Sequence, residues 1–430
     1  MITLKLSFRS VLYRYRQYLF LFFICFLGTA LSLFLVFISK GMLKSLSDKA
    51  RIYYGGDLVF MRAPAASRDQ SIPDSGKYLL QLKKIFPSDA VISERFDFNA
   101  RELASLYFEG QEAKLNVIKG IDFSVEKSLF TKLNFLAGNS DISKASNGAL
   151  VSSAVCRQLG LSYGDEFTLY LRTKSGYINT VNLQVSGIFE DSSVFGMYTM
   201  YMDSAFLKEA FQEKESWSNR ICIDFPQRKK IKASEIEGWN EELKKEYNMF
   251  RIVKDKQEFY KGMPYKKTTY ALIPLKANLN EVSILEKAMK AVISVIIFII
   301  VLIIVIGIAS TYKVLVMKRI NEIGIFMALG MKKADIIKSL LWESFLILFS
   351  ASIMGVIFSL LLSSAASCFN LTFIPAFDIF LEGGSLKALG SFTMTIVLLF
   401  VIIFNTLLVV FFSVRKCLSI LPVNALNATR

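Results

Sequence analysis

The chain has 430 residues, 53% of them hydrophobic, with a formal net charge of +15 and no histidine. It is too apolar for an ordinary soluble domain and too charged for a bundle wholly buried in lipid, so part belongs in a membrane and part in water. The missing histidine removes Ser-His-Asp and Cys-His catalysis, and with them the commonest metal ligand and general base.

The first element is an apolar run, Gln17–Ser39, long enough at roughly 20 residues to cross a bilayer. It follows a basic segment, as a signal peptide would. Its apolar stretch exceeds the usual signal core of about 7–15 residues, so it reads as an uncleaved anchor. Residues 40–54 continue it as a helix, with Met42, Leu43, Leu46 and Ala50 at helical spacing, until Gly55-Gly56.

A stretch of ordinary soluble composition follows. Asp57–Met61 reads as a strand, Ser75–Phe86 as an amphipathic helix, and Ala90–Asn99, Glu102–Phe108 and Lys114–Lys119 as strands. Leu150–Ser152 leads into a helix, Ala154–Leu159, ended by Gly160. Gly164-Asp165 turns into the strand Glu166–Leu171, and Thr180–Glu190 is another. The aromatic run Phe189 to Tyr201 fits the core of a β lobe, or else a partner-binding loop. Strand Arg220–Phe225, helix Ser234–Tyr247 and strand Met249–Val253 complete the domain. These elements predict an outer domain at 55–275, with one lobe from 55–120 and 218–275 and a second inserted at 121–217.

Three further spans follow at Ala291–Ser310, Leu340–Ala366 and Ser391–Val414. The fold expected is an α-helical membrane protein of four transmembrane helices, arranged 1+3, with a large α+β domain between spans one and two. Residues 1–54 form the N-terminus, first span and outward extension. Residues 276–430 form the three-span domain.

Orientation follows from basic residues. Residues 1–16 carry Lys5, Arg9, Arg14 and Arg16. The 311–339 loop carries Lys313, Lys318, Arg319, Lys332, Lys333 and Lys338, and the tail Arg415, Lys416 and Arg430. Glu322 and Asp335 are the only acids among them. The positive-inside rule puts both termini and the 311–339 loop in the cytoplasm and the large domain outside. The charge excess is thus mostly topological and calls for no nucleic acid. Single cysteines replacing Ser175 and Lys332 test this: an impermeant thiol reagent on intact cells should label position 175 alone. Labelling at 332 but not at 175 would reverse the topology.

Five cysteines, Cys25, Cys156, Cys222, Cys368 and Cys417, have no metal-type spacing. Cys156 and Cys222 share the outer domain and are read as free buried thiols, a bridge between them being the alternative. Gly76-Lys77 is followed by Tyr78 and lacks the leading glycine of a P-loop, so no ATP hydrolysis is expected of this chain.

The 311–339 loop contains Lys318-Arg-Ile-Asn-Glu-Ile-Gly-Ile-Phe-Met-Ala-Leu-Gly330, then Lys332-Lys333, and Leu341-Trp-Glu-Ser344 follows at the third span. Ile320, Ile323 and Met327 form an apolar stripe. Gly324 and Ala328, one turn apart, would admit another backbone closely, and Gly330 breaks the helix. Periodicity alone fits a helix lying on the membrane surface equally well.

This stretch resembles the signature of the FtsX-like permeases of ABC transporters through Arg319, Glu322, Ile323, Gly324, Ile325, Ala328, Leu329, Gly330, Glu343 and Ser344. The family usually has an arginine where Phe326 or Met327 stands. Gly56-Asp57-Leu58-Val59, Lys119-Gly120-Ile121-Asp122, Leu150–Gly160 with Gly164-Asp165, and the tail Pro422-Val423-Asn424-Ala425-Leu426 are also similar to the family. The resemblance implies a non-catalytic subunit of the bacterial inner membrane. It would carry no cofactor, with ATP bound by a separate dimeric ATPase, and would work as a homo- or heterodimer of permeases. It also implies mechanotransmission: outward-continued helices move the outer domain. Arg319, Glu322, Ile323, Gly324, Ala328, Gly330 and Lys332 are the residues expected to couple to the ATPase.

Within the family, topology and outer-domain size resemble the LolC/LolE group, which passes lipoproteins to a periplasmic carrier. Export of a peptide, toxin or drug, as in the MacB group, is the second reading; that group fuses its ATPase to the permease, and no fusion is seen here. Signalling to a cell-wall hydrolase is the third, and its outer domains are much smaller. A lipid substrate needs an apolar groove where spans one and two meet the outer leaflet. Leu35 and Met42 on one helix and Leu285 and Met289 on the other are its candidate lining; ordinary lipid-facing or bundle packing is the plainer reading of them.

Overall fold

The computed structural model describes residues 13, 15–65, 71–142, 147–191, 195–227, 231–262, 267–371, 374 and 377–419. The tail motif 422–426, the basic residues Lys5, Arg9, Arg14 and Arg430, and the side chain of Leu285 lie outside the described residues. The chain divides into two compact units. One comprises Met1–Met42, Lys287–Phe369 and Leu386–Arg430, the other Leu43–Glu286 and Asn370–Ser385.

The first unit is helical. Its elements are α1 (Tyr15–Tyr54) and α2 (Asn280–Lys318), whose residues 43–54 and 280–286 count with the second unit, a short α3 (Ile320–Ala328), α4 (Lys333–Cys368) and α5 (Phe392–Ser419). α1, α2, α4 and α5 each contain a window apolar enough to cross a membrane. Helices are what such sequences must form in lipid, where every backbone polar group has to be satisfied internally. α1 has 40 residues. At about 1.5 Å per residue it is about 60 Å long, twice the roughly 30 Å hydrocarbon layer. Residues 40–54 are therefore helical, as their spacing predicted.

Packing among these helices relies on small residues, because lipid leaves little hydrophobic drive for helix association. A Cβ at Gly28 of α1 would lie 2.3 Å from Ile304 Cδ1 of α2, so the two helices meet closely there. Cys25 Sγ lies 3.6 Å from Ser352 Oγ, a polar contact between α1 and α4.

The second unit is a 12-stranded sheet with helices packed on it. Its strands are β1 (Leu58–Ala63), β2 (Val91–Asn99), β3 (Ala104–Phe108), β4 (Gln111–Lys114), β5 (Val117–Ile121), β6 (Phe135–Gly138), β7 (Gly148–Ser152), β8 (Glu166–Arg172), β9 (Ile178–Phe189), β10 (Thr199–Asp203), β11 (Arg220–Asp224) and β12 (Thr269–Pro274). The order is β12-β1-β11-β2-β5-β10-β7-β9-β8-β3-β4, with β6 on β9.

β2 joins the two halves. Val91–Arg95 pair with β11, and Phe96–Asn99 pair with β5. Beside β1, β11 and β12 pack the helices Ser75–Ile85 and Ala233–Lys244, over a core that includes Phe60, Leu82, Phe225 and Leu243. Beyond β2, the core includes Phe98, Leu106, Val151, Leu169 and Met200.

This differs from the lobes expected at 55–120 with 218–275 and at 121–217. β3, β4 and β5 pair on the side of the 121–217 strands, through β8 and β10. The physical reason is the length of β2, whose nine residues serve two ladders in succession. Met249–Val253 is also not a strand. Met249 makes one isolated bridge to Tyr270, while β12 fills the ladder beside β1.

Phe189, Phe195, Met200 and Tyr201 are buried, so these members of the aromatic run belong to the core. Cys156 and Cys222 are free and buried. The segment Asn370–Ser385 packs on the extension of α1: Ile379 and Phe380 meet the cluster of Leu46, Ala50, Phe195 and Leu275.

The end of α1 is held by buried charge. The N–H groups of Gly55 and Gly56 both donate to the Arg51 carbonyl, at 2.9 and 2.8 Å, closing the helix. Gly55 has φ +90°, and a Cβ there would lie 2.4 Å from Cys222 Sγ, so glycine is required. Arg95 is fully buried and donates to the carbonyls of Ile52 and Tyr53 at 2.9 and 3.0 Å. Its other guanidinium nitrogens bind buried Glu126. Beside it, Lys119 and Arg220 both reach Asp97, at 2.9 and 2.7 Å. Burial works to raise the Asp97 carboxyl, and Arg220 and Lys119 outweigh it, bringing it down to about 2. Burial pulls the Lys119 ammonium down to about 8 against Asp97.

Candidate functional site

The segment between α2 and α4 is an elbow. α2 ends at Lys318, and Arg319 occupies the cap of α3 with φ −101°. α3 runs nine residues to Ala328. Gly330, at φ +87°, breaks it, a conformation open to glycine at little cost. Lys332 is extended, and α4 begins at Lys333.

The inward side of the elbow is held by a buried ionic centre. Arg319 Nη1 lies 2.5 Å from Glu343 Oε2 of α4 and donates to the Tyr18 hydroxyl of α1 at 2.9 Å. Tyr18 donates in turn to Glu343 Oε2 at 2.7 Å. Three segments far apart in sequence are thus tied by one guanidinium. Burial works against the Arg319 charge, and hydrogen bonding and attraction from Glu343 override it, holding the guanidinium above its ordinary pKa. Glu322 Oε2 stands 3.5 Å from Arg319 Nε at the outer edge. Ile323 is buried and packs in the same cluster as Ile336 and Leu340 of α4.

The outward side is bare and apolar. Ile325 is 59% exposed and Leu329 79%, and Ala328 between them is exposed too. Among the described residues, no atom beyond its chain neighbours and its own helix's backbone lies within 4 Å of where a Cβ on Gly324 would stand. A groove of about 610 Å³ beside the elbow is lined by Tyr13, Tyr15, Arg16, Gln17, Lys318, Arg319 and Glu322.

The seven expected coupling residues therefore fall into two groups. Arg319 and Ile323 face the chain's own interior, with Glu322 at its edge. Gly324, Ala328, Gly330 and Lys332 are open to a partner. Tyr18 carried no signal in the sequence, since nothing local marks a tyrosine at the start of a span as the partner of an arginine 301 positions on. Glu343 stood in the signature, but its pairing with Arg319 did not follow from spacing.

Of the groove residues, Leu35, Met42 and Met289 are half-buried. Leu35 and Met42 are seven residues apart, two turns along one face of α1. Among the described residues, no cluster of three or more His, Cys, Asp or Glu side chains could hold a metal.

No curated protein matches the chain. Residues 294–422, which include the elbow, α4 and α5, match the family described as FtsX-like permease C-terminal. The match supports a permease subunit of an ABC transporter, of the type that includes FtsX, MacB and LolC.

Proposed function

We propose that a separate ABC ATPase docks on α3, and that the chain turns its cycle into work by the outer unit: release of lipoproteins from the membrane toward a periplasmic carrier. The observation that carries the first step is the two-sided elbow. One face is locked to α1 and α4 by Arg319, Tyr18 and Glu343, while Ile325, Ala328 and Leu329 stand exposed on the other, with open space beside the half-buried Gly324. An apolar face on a short helix in a basic loop fits a groove on a partner. Arg319 acts here as a positioning residue. A second permease subunit completes the complex. α2 supports this, because only 11% of its apolar window is buried within the chain, against 44% for α1.

The substrate reading rests on energetics. Each acyl CH₂ exposed to water costs about 0.8 kcal/mol, so extraction needs both an apolar shelter and an energy source. Leu35, Met42, Leu285 and Met289 would line that shelter, and methionine suits variable ligands. Met42→Asp and Met289→Asp should leave the complex assembled but block transfer of lipoprotein from reconstituted vesicles to a soluble carrier. Normal release by both assembled variants would remove this groove. Efflux of a soluble peptide, with no lipoprotein released by the parent complex, would favour export.

A further inference from the structure

A groove of about 450 Å³ runs between α4 and α5, with one basic residue and an otherwise apolar lining. Leu341, Trp342 and Phe345 come from α4, and Phe404, Leu408 and Phe411 from α5. Lys338 closes one end. On α4, Lys338, Leu341, Trp342 and Phe345 follow the spacing of one helix face. On α5, Arg415 stands one turn beyond Phe411 on the same face. The helices run antiparallel, so both basic residues come to the same end of the groove. Lys338 and Arg415 are exposed, and Trp342 is 42% exposed.

The seven steps of helix from Lys338 to Phe345 rise about 10 Å. That is most of one leaflet's hydrocarbon depth, roughly 15 Å. From the basic end, α4 thus presents charge, then Leu341 beside the Trp342 indole at headgroup level, then Phe345 at acyl depth. Basic pockets between transmembrane helices bind anionic headgroups, and tryptophan favours the interface.

We propose that this groove is a binding site for an anionic phospholipid, its phosphate between Lys338 and Arg415 and one acyl chain along Trp342, Phe345, Leu408 and Phe404. The charge of the groove's mouth selects a lipid over a second copy of this chain, whose own mouth would bring four basic residues together. The site is independent of the lipoprotein groove and of ATPase docking.

Tryptophan fluorescence tests it. The chain has three tryptophans, and Trp217 and Trp239 lie in the other unit. Subtracting the Trp342→Phe variant isolates the groove. The full chain is placed in phosphatidylcholine vesicles doped with dibrominated phosphatidylglycerol or with dibrominated phosphatidylcholine. The expected preference in quenching of Trp342 by the anionic lipid is about fivefold for each basic residue. It should vanish in Lys338→Glu/Arg415→Glu and survive in Lys338→Arg/Arg415→Lys and in Lys332→Glu/Lys333→Glu. Equal quenching of the parent by both lipids would overturn the proposal. So would an equal loss in the 332/333 variant, which would mean a general surface field. Absence of quenching together with a disulfide between copies through Leu408→Cys would assign the groove to a second copy.

Discussion

Arg319→Ala is expected to destabilise the full chain by about 3–5 kcal/mol, because it strands Glu343 as a buried and uncompensated charge. Arg319 and Glu343 side chains are 8% and 2% exposed, so water cannot replace the lost partner cheaply. The Tyr18 hydroxyl loses its donor in the same step. Arg319→Lys should recover only part of the loss, since an ammonium cannot reach two acceptors with the guanidinium's fixed fork. Glu343→Gln keeps the shape and removes the charge. A double-mutant cycle of Arg319→Ala with Glu343→Gln should give a coupling energy toward the upper end of the roughly 0.5–3 kcal/mol range for contacting residues. Thermal unfolding in detergent is the measurement. Additive effects would show that the two side chains do not act as a unit.

The second large effect belongs to the sheet unit. Arg95→Met should also cost about 3–5 kcal/mol, by leaving Glu126 buried without its cation. It also removes the donor for the carbonyls of Ile52 and Tyr53 at the end of α1, which have no further turn of helix to bond them. Arg95→Met with Glu126→Leu should restore much of the stability, because a buried pair replaced by apolar groups of similar size is often near neutral. Trp217 and Trp239 report on this unit, so their fluorescence through a denaturant titration reads the effect directly. A parent-like midpoint for Arg95→Met would remove the anchoring role. So would a double variant no better than the single one.

The membrane helices were legible because an apolar run of about 20 residues has few other homes. The continuation of α1 to Tyr54 was readable from the spacing of Met42, Leu43, Leu46 and Ala50, but the start of α2 at Asn280 was not, since polar residues enter there and hydropathy is silent. In the sheet unit, alternation located β1, β2, β3, β8, β9 and β11 within a residue or two. It could not show that β2 serves two ladders, because pairing is a long-range choice made by register. β12 and the helix Ser204–Phe211 were missed: β12 begins inside a Lys-Lys-Thr-Thr stretch whose polarity hides the strand's start, although Gly262 and Pro264 precede it, and the helix starts on an Asp203 cap inside a sequence dominated by aromatics. The elbow was visible through its signature and through Gly330. Which of its faces turned inward was not, because Arg319 reads as one more cytoplasmic cation until Glu343 and Tyr18 are brought beside it. The buried Arg95–Glu126 pair left no trace in composition for the same reason.

The central claim is that α3 is a docking element for an ATPase rather than a helix resting on lipid, and Gly324→Leu tests it most directly. Among the described residues, a Cβ at 324 meets no atom within 4 Å beyond its chain neighbours and its own helix's backbone, so folding should be unharmed. Removing a glycine from a helix interior should even stabilise α3, by up to about 1 kcal/mol. A leucine there would, however, fill the space a partner backbone needs. Co-purification of the ATPase with the full-length chain, together with its turnover rate, is the measurement. The account predicts a chain that inserts and unfolds like the parent but holds little ATPase and leaves its turnover uncoupled. Parent-level co-purification and turnover from the Gly324→Leu chain would contradict it.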